Sequence, residues 1–494
     1  MKRKRKQIQA QPTPAEWEQK SLERFQPLLT PEEYELLLEE IKSPLSPAFR
    51  FNPLKTSRDT VVNLGEQYHW KLESIPYCPT GFRVLEGDSA IPVSQTLEHR
   101  MGHFYIQEAA SMLPVELFHF DTQKPELCLD LAASPGGKTT HLVSRGADHG
   151  LVIANDSSSG RIPALRIVLQ NWGAVNTMIT QFPGEKYGSW FPETFDRVLI
   201  DAPCSMQGLR TAESHDVRPV TDKEISGLAK RQVNLLTSAL QAVKIGGEVV
   251  YSTCTLVPEE DEAVIDMILQ RFGSKVEIVQ TSIQAPGVLS NGAQQFNPEV
   301  QKSVRLWPNR LRTAGFFACL LRKNAALELP TTSAPSRPLE RTGFNPLPQK
   351  ETRNLEKTLL AEYEFDLAGV MDEYQLELVG YGQRIFAFPQ RMLSEFSSLP
   401  VQSAGLLVGE ETGERFVPAH DWVSRFFSAF KMNRMEVPET EIDSWLLGEN
   451  IPTASFPHLP ENAILLMVDS AGRFLGRGRV TTDRVKNLLP HRLV

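Results

Sequence analysis

Cysteine is scarce in this chain: five residues in 494, at positions 78, 128, 204, 254 and 319. No two of them stand at the close spacing of a zinc ligand pair, and so few in such a length build no disulfide framework. No metal is expected, and a reducing, cytoplasmic setting fits best. Long apolar runs are also missing. None approaches the roughly 20 residues that a membrane-spanning helix needs. The opening Met-Lys-Arg-Lys-Arg-Lys is basic but no apolar segment follows it, which excludes a secretory signal. An excess of positive charge is lacking too. The formal net charge is −8, and as a sum it argues mildly against a nucleic-acid partner. Phosphate contacts are local, however, so the distribution counts for more. Two places are basic: Lys2 to Lys6, and a C-terminal set of Arg473, Arg477, Arg479, Arg484, Lys486 and Arg492. Taken alone, each reads as a solvated surface.

A chain this long exceeds one compact core, so two or three domains are expected. Residues 1–125 read as an irregular α+β segment. In it, Thr30-Pro31-Glu32-Glu33 spells a capping box with proline at the first helical position. Phe49 to Asn52 reads as a strand. From residue 126 to 324, short apolar strands alternate with amphipathic helices. Strands are expected at 127–131, 151–154, 175–179, 197–200 and 248–252, with helices at 161–171, 222–243 and 258–272. That alternation predicts an α/β, doubly wound, Rossmann-like parallel sheet. Gly315 to Leu321 follows as a further strand with no helix after it, suited to antiparallel pairing at the end of the sheet. Residues 325–352, rich in Pro, Ser, Thr and Asn, have linker composition. A mixed α+β extension is expected over 353–494.

In an open parallel sheet, ligands sit beyond the carboxyl ends of the strands. After the first strand stand Ala132, Ala133, Ser134, Pro135, Gly136, Gly137 and Lys138, a glycine-bearing loop running into a helix. After the second stands Asp156, an acid placed for the two hydroxyls of a ribose. Asp201 and Cys204 follow the fourth, and Cys254 follows the fifth. The loop nearly spells the phosphate cradle of nucleotide hydrolases, and Asp201 after an apolar strand resembles their magnesium ligand. Three features disfavour that nucleotide-hydrolase reading. Ala132 replaces the leading glycine, the acid at 156 suits a ribose, and two strand-end thiols have no task in phosphoryl transfer. The alternative is a methyl donor, S-adenosylmethionine, whose use with thiols points to one kind of acceptor. Carbon 5 of cytosine is a poor nucleophile until a thiolate adds to carbon 6 and turns the ring into an enamine. A second thiol then assists release, Asp201 meets the base, and Lys138 supplies positive charge near a thiol. The residues alone leave open which thiol has which role. Cys78, Cys128 and Cys319 are expected simply to pack.

Three runs carry a resemblance: Leu-Asp-Leu-Ala-Ala-Ser-Pro-Gly-Gly-Lys-Thr (129–139), Asp-Ala-Pro-Cys-Ser-Met-Gln-Gly (201–208) and Tyr-Ser-Thr-Cys-Thr-Leu-Val-Pro-Glu-Glu-Asp-Glu (251–262). With Gly102 to Met112 and Arg305-Leu306-Trp307-Pro308, the chain resembles the NOL/NOP/Sun family of RNA cytosine-5 methyltransferases over about residues 45–325. Residues 401–410 and 485–493 resemble the C-terminal extension of its RsmF branch, which acts on bacterial small-subunit ribosomal RNA. The resemblance implies Cys254 as nucleophile and Cys204 as the thiol of product release. It implies Ala132 to Lys138, Asp156 and Asp201 around S-adenosyl-L-methionine. It also implies a PUA-like RNA-binding module near the C-terminus and ribosomal RNA or the small subunit as partner. A monomer is the default expectation, which the sequence itself does not give. Transfer RNA or large-subunit RNA as substrate, an RNA-dependent ATPase and a non-catalytic ribosome-assembly factor are the rivals. One departure stands out: Pro183, in Gln181-Phe182-Pro183-Gly184, lies about where the family has an acid near the adenine. A backbone group or water is expected to meet the adenine amino group instead.

Overall fold

The computed structural model describes residues 21–85, 91–121, 124–208, 220–413, 415–456 and 459–493. The basic stretch Lys2 to Lys6 lies outside them. At the N-terminal end, the capping box forms as its residues predict. Thr30 Oγ1 accepts from Glu33 N and the Glu33 carboxylate accepts from Thr30 N, opening a helix over Pro31–Glu40. An antiparallel sheet follows, ordered Lys71–Ser74, Gly81–Leu85, Ala48–Phe51, Phe104–Ile106. Phe49, Phe82, Phe104 and Trp70 pack together on one of its faces.

The central sheet holds β1 (Leu127–Asp130), β2 (Leu151–Asn155), β3 (Thr177–Thr180), β4 (Phe195–Asp201), β5 (Val243–Thr253), β6 (Val276–Ile278), β7 (Val304–Leu306) and β8 (Phe316–Lys323). Its order is β6-β8-β5-β4-β1-β2-β3, with β7 also paired to β8. Strands β1 to β5 run parallel, and β1, β2 and β3 are buried at every residue, the pattern of a sheet covered on both faces. Helices α1 (Gly137–Arg145), α2 (Ile162–Trp172), α3 (Asp222–Ala242) and α4 (Glu262–Phe272) make the cover. The strand order reverses between β4 and β1, which opens a crevice at their carboxyl ends.

Two expectations need correction. Strand β8 is antiparallel as foreseen, but β6 lies outside it, so it is not the end of the sheet. At the opposite end, the two-residue strand Ser403–Ala404 pairs antiparallel with β3, so the C-terminal region completes the core's own sheet. Nor is 325–352 a free tether. Leu327 and Ala334 pack on the core, Gln241 Nε2 donates to Pro330 O at 3.0 Å, and a strand and a helix begin at Asn345 and Gln349.

The C-terminal region carries two more five-stranded sheets. Arg477 and Arg479 lie in the strand Phe474–Val480. Lys55 ties the parts together: its Nζ donates to Met101 O and Asn171 O at 2.8 Å and to Ser424 Oγ at 2.9 Å. No described helix is long and apolar enough to cross a membrane.

Candidate active site

The first strand delivers its loop through a buried polar relay. Asp130 closes β1 at 1% exposure; its Oδ1 accepts from Ala132 N at 3.3 Å and its Oδ2 from Thr139 Oγ1 at 2.7 Å. Burial pushes its carboxyl up to about 7. Gly136 then adopts φ +119°, a left-handed conformation open to glycine, and caps α1 with no side chain. The first N–H groups of α1 therefore remain available. Gly137 meets Tyr105 of the N-terminal segment so closely that a Cβ would lie 2.7 Å from its ring. Together, Ala132, Ala133, Ser134, Pro135, Gly137, Lys138 and Asp201 wall a cavity of about 170 Å³, closed from the other side by Tyr105, Ile106, Gln107 and Ser111. Gly136 and Asp156 do not line that cavity. Asp156 is buried, its Oδ2 accepting from Ser134 N at 3.2 Å and its Oδ1 from Ser158 N at 2.9 Å, with Arg161 at 3.4 Å. It braces the loop as well as ending β2. Pro183 follows β3; the preceding Phe182 exchanges backbone hydrogen bonds of 2.9 Å with the Asn155 side-chain amide.

Because β4 and β5 are hydrogen-bonded neighbours, the groups after them converge. Cys204 Sγ and Cys254 Sγ lie 3.3 Å apart, both partly exposed. Beside them, Lys138 Nζ pairs with Asp201 Oδ2 at 2.7 Å, and Ser252 Oγ donates to Asp201 Oδ1 at 3.1 Å. Either sulfur can donate in the hydrogen bond between them; donation from Cys204 holds the Cys254 thiol below the usual range and Lys138 adds to this, while burial and Asp201 oppose it. The same hydrogen bond and burial drive Cys204 well above its usual value. The Lys138 ammonium is penalised by burial but held above its usual range by Asp201 in charge and hydrogen bond. Cys78, Cys128 and Cys319 are buried, and burial pushes all three thiols up.

Both thiol loops are pinned from below. Glu260 Oε2 accepts from Ser205 N at 2.9 Å and from Gln232 Nε2 at 3.0 Å, and that amide also reaches Pro203 O at 2.9 Å. Thr253 Oγ1 donates to Asp261 at 2.6 Å. Arg305, fully buried, pairs with Asp261 and Glu262 and donates to Leu256 O at 2.9 Å. Composition and strand-end position do not reveal Glu260, Asp130 or Arg50, the last of which reaches Gly137 O at 2.9 Å from the N-terminal sheet. For Asp130 and Arg50 the signal is a polar residue inside an apolar run, Leu-Asp-Leu and Phe-Arg-Phe; Glu260, in Val-Pro-Glu-Glu-Asp-Glu, leaves none.

The sequence matches known proteins over most of its length. Residues 118–322 match the family model for the 16S rRNA methyltransferase RsmB/F, and residues 18–109 match that for the N-terminal domain of the 16S rRNA methyltransferase RsmF. The ribosomal RNA small subunit methyltransferase F of Aeromonas hydrophila is 33% identical over 455 residues, covering 92% of each chain. That of Aeromonas salmonicida is 32% identical over the same span. The chain belongs to the RsmF family of 16S rRNA methyltransferases. A methyltransferase homologue from Pyrococcus horikoshii, 29% identical, superposes with a TM-score of 0.54 over 62% of this RsmF-family chain and 99% of its own. NSun6 from the same organism, solved with SFG, shares the fold at 22% identity with a TM-score of 0.52. Membership in a methyltransferase family overturns the nucleotide-hydrolase reading of the loop, and with it the ATPase rival.

Proposed function

We propose that the protein methylates carbon 5 of a cytosine in small-subunit ribosomal RNA, with Cys254 as the nucleophile. The observation that carries this is the pair of thiols 3.3 Å apart beside the Lys138–Asp201 ion pair; donation from Cys204 to Cys254 would favour thiolate at Cys254 and thiol at Cys204. Bound S-adenosylmethionine would supply an electrophilic methyl group. The residues that wall the cavity fit it: an uncapped helix N-terminus, the small residues Ala132, Ala133, Ser134, Pro135 and Gly137, and Asp201 toward the methionine and the base; Asp156, whose oxygens accept from Ser134 N and Ser158 N, is the acid assigned to the ribose.

The Cys254 thiolate adds to carbon 6 of the cytosine, forming a C–S bond and an enamine. Carbon 5 then takes the methyl group. A base takes the carbon-5 proton, the electron pair of that C–H bond re-forms the ring double bond, the C–S bond breaks and Cys254 leaves as thiolate. Cys204 takes part in that release. Asp201 hydrogen-bonds the amino edge or ring nitrogen of the cytosine, and Lys138 favours the thiolate by its charge. The base must leave any stack to arrive there. RNA docking falls to the C-terminal extension, PUA-like towards its end. Arg479 and Lys486 oppose each other across neighbouring strands there, and neither forms an ion pair with a described residue. Like charges so placed cost stability unless an anion joins them.

The test is incubation with labelled S-adenosylmethionine and separate pools of small-subunit RNA, large-subunit RNA and transfer RNA lacking the modification. Labelled 5-methylcytosine in the small-subunit pool alone is the expected result. Label only in another pool contradicts the substrate, and label on another base contradicts the chemistry.

A further inference from the structure

Two residues past Cys204, the chain does something costly. Met206 takes φ +59°, in the left-handed region where a side chain is strained. Its side chain is 59% exposed, while Ser205 and Gln207 on either side are buried at 0% and 4%. A large apolar group therefore stands on a crest at the rim of the thiol site. The conformation is imposed from both flanks. Ser205 N donates to Glu260 and its hydroxyl lies 3.1 Å from Thr255 Oγ1; Gln207 O accepts from Leu256 N at 3.2 Å; Gly208 O accepts from Gly315 N at 2.7 Å. The Met206 backbone N–H faces the Cys204 sulfur, so the backbone has a task there, but a glycine would perform it without strain. Neither the backbone geometry nor core packing requires a methionine. Backbone strain held in place beside reactive groups points from the outlier to a function.

We propose that Met206 is a wedge that occupies the gap left in the RNA stack when the target cytosine enters the thiol site. This rests on the cytosine-5 reading above. A base that leaves its stack exposes two apolar faces to water, and unbranched apolar side chains, methionine among them, insert at such steps. Methionine suits an irregular gap because its side chain is flexible and polarizable. Met206 sits on the same loop as Cys204, so its insertion and the arrival of the base at the thiols are coupled through two residues of backbone, a reach of at most about 7 Å. It is a substrate-positioning residue, taking no part in bond making.

Four full-length proteins test this: wild type, Met206→Gly, Met206→Asn and Met206→Leu. Each is assayed for single-turnover methylation of folded small-subunit RNA lacking the modification, with enzyme saturating and in excess of the RNA and with labelled S-adenosylmethionine saturating. Binding of the cofactor and the melting temperature are measured alongside. Glycine and asparagine both accept the left-handed conformation but lack apolar bulk, whereas leucine keeps the bulk. The expected result is a loss of roughly tenfold in rate for Met206→Gly and Met206→Asn, as for an unstacked state left without its filler. Leucine should stay within about twofold of wild type on the same reasoning. Cofactor binding is unchanged in all four, and the melting temperature does not fall in the glycine and asparagine variants. Wild-type rates for glycine and asparagine overturn the proposal. So does a leucine variant as slow as glycine, because bulk is then irrelevant. A glycine variant that is slow while asparagine is fast also overturns it, since loop loosening then explains the loss. If wild type itself places no methyl on cytosine, the underlying reading has failed instead, and the wedge falls with it.

Discussion

Cys254 is activated by a neighbour that is itself a thiol, so its reactivity depends on which groups surround the pair. Lys138 lowers the Cys254 thiol, and Asp201 raises it. Replacing Lys138 with Gln removes the cation and leaves Asp201 in place. The alkaline-rising limb of Cys254 alkylation by iodoacetamide should then move to higher pH; an unmoved limb contradicts the role given to Lys138. His141 makes a residue-scale prediction of its own. It is buried at 1%, its Nε2 lies 2.9 Å from Glu116 Oε1, and burial and then Arg50 push it down to about 4. The unfolded chain takes up this proton near pH 6.5, the folded chain near 4. Stability from this group is therefore full above 6.5 and is lost as pH falls toward 4. Wild type should lose up to about 1.4 kcal/mol per pH unit relative to His141→Asn across that window, by denaturant melts. A constant difference between the two contradicts it. The thiols, the loop and Asp156 were legible in the sequence because each follows an apolar strand. Which thiol is the base-attacking one was not, because strand position treats them alike and only the resemblance separates them. Asp130 stood in view within Leu-Asp-Leu, but its burial against Ala132 and Thr139 depends on how the loop folds back.

Among elements, the loop after β5 is held by a buried ion cluster. Arg305 on β7 meets Asp261 and Glu262 at zero exposure and also caps Leu256 O. Removing the arginine leaves two carboxylates without their counter-charge. Arg305→Met should therefore destabilise the fold by roughly 3–5 kcal/mol in denaturant melts. A change under ~1 kcal/mol would contradict the cluster's role, as surface pairs contribute that little. Periodicity revealed strands β1 to β5 within a few residues at each end. It could not order β8 against β6, because Val276–Ile278 is three residues long and carries no alternation. Nor could it see Ser403–Ala404, which is a strand through its pairing with β3 rather than through its own two residues.

At the scale of the whole molecule, the parts share buried polar contacts. Lys55 bridges the N-terminal segment, the end of α2 and the C-terminal region through three hydrogen bonds. Lys55→Met should destabilise the chain by roughly 1–3 kcal/mol, the cost of leaving the Asn171 carbonyl without its donor, while Met101 O keeps Ser424 Oγ as donor. Two separated unfolding transitions in wild type would contradict such coupling. Composition gave no sign of this junction: lysine at 55 looks like any surface cation, and its three acceptors lie 46, 116 and 369 residues away. The account as a whole rests on Cys254 forming the bond to the base and Cys204 breaking it. The most direct measurement incubates wild type, Cys254→Ala and Cys204→Ala with labelled S-adenosylmethionine and small-subunit RNA, then resolves free RNA from RNA bound covalently to protein. The account predicts labelled 5-methylcytosine with wild type, none with Cys254→Ala, and an accumulating labelled RNA–protein adduct with Cys204→Ala. Methylation that survives Cys254→Ala, or an adduct that forms through Cys204 instead, would contradict it.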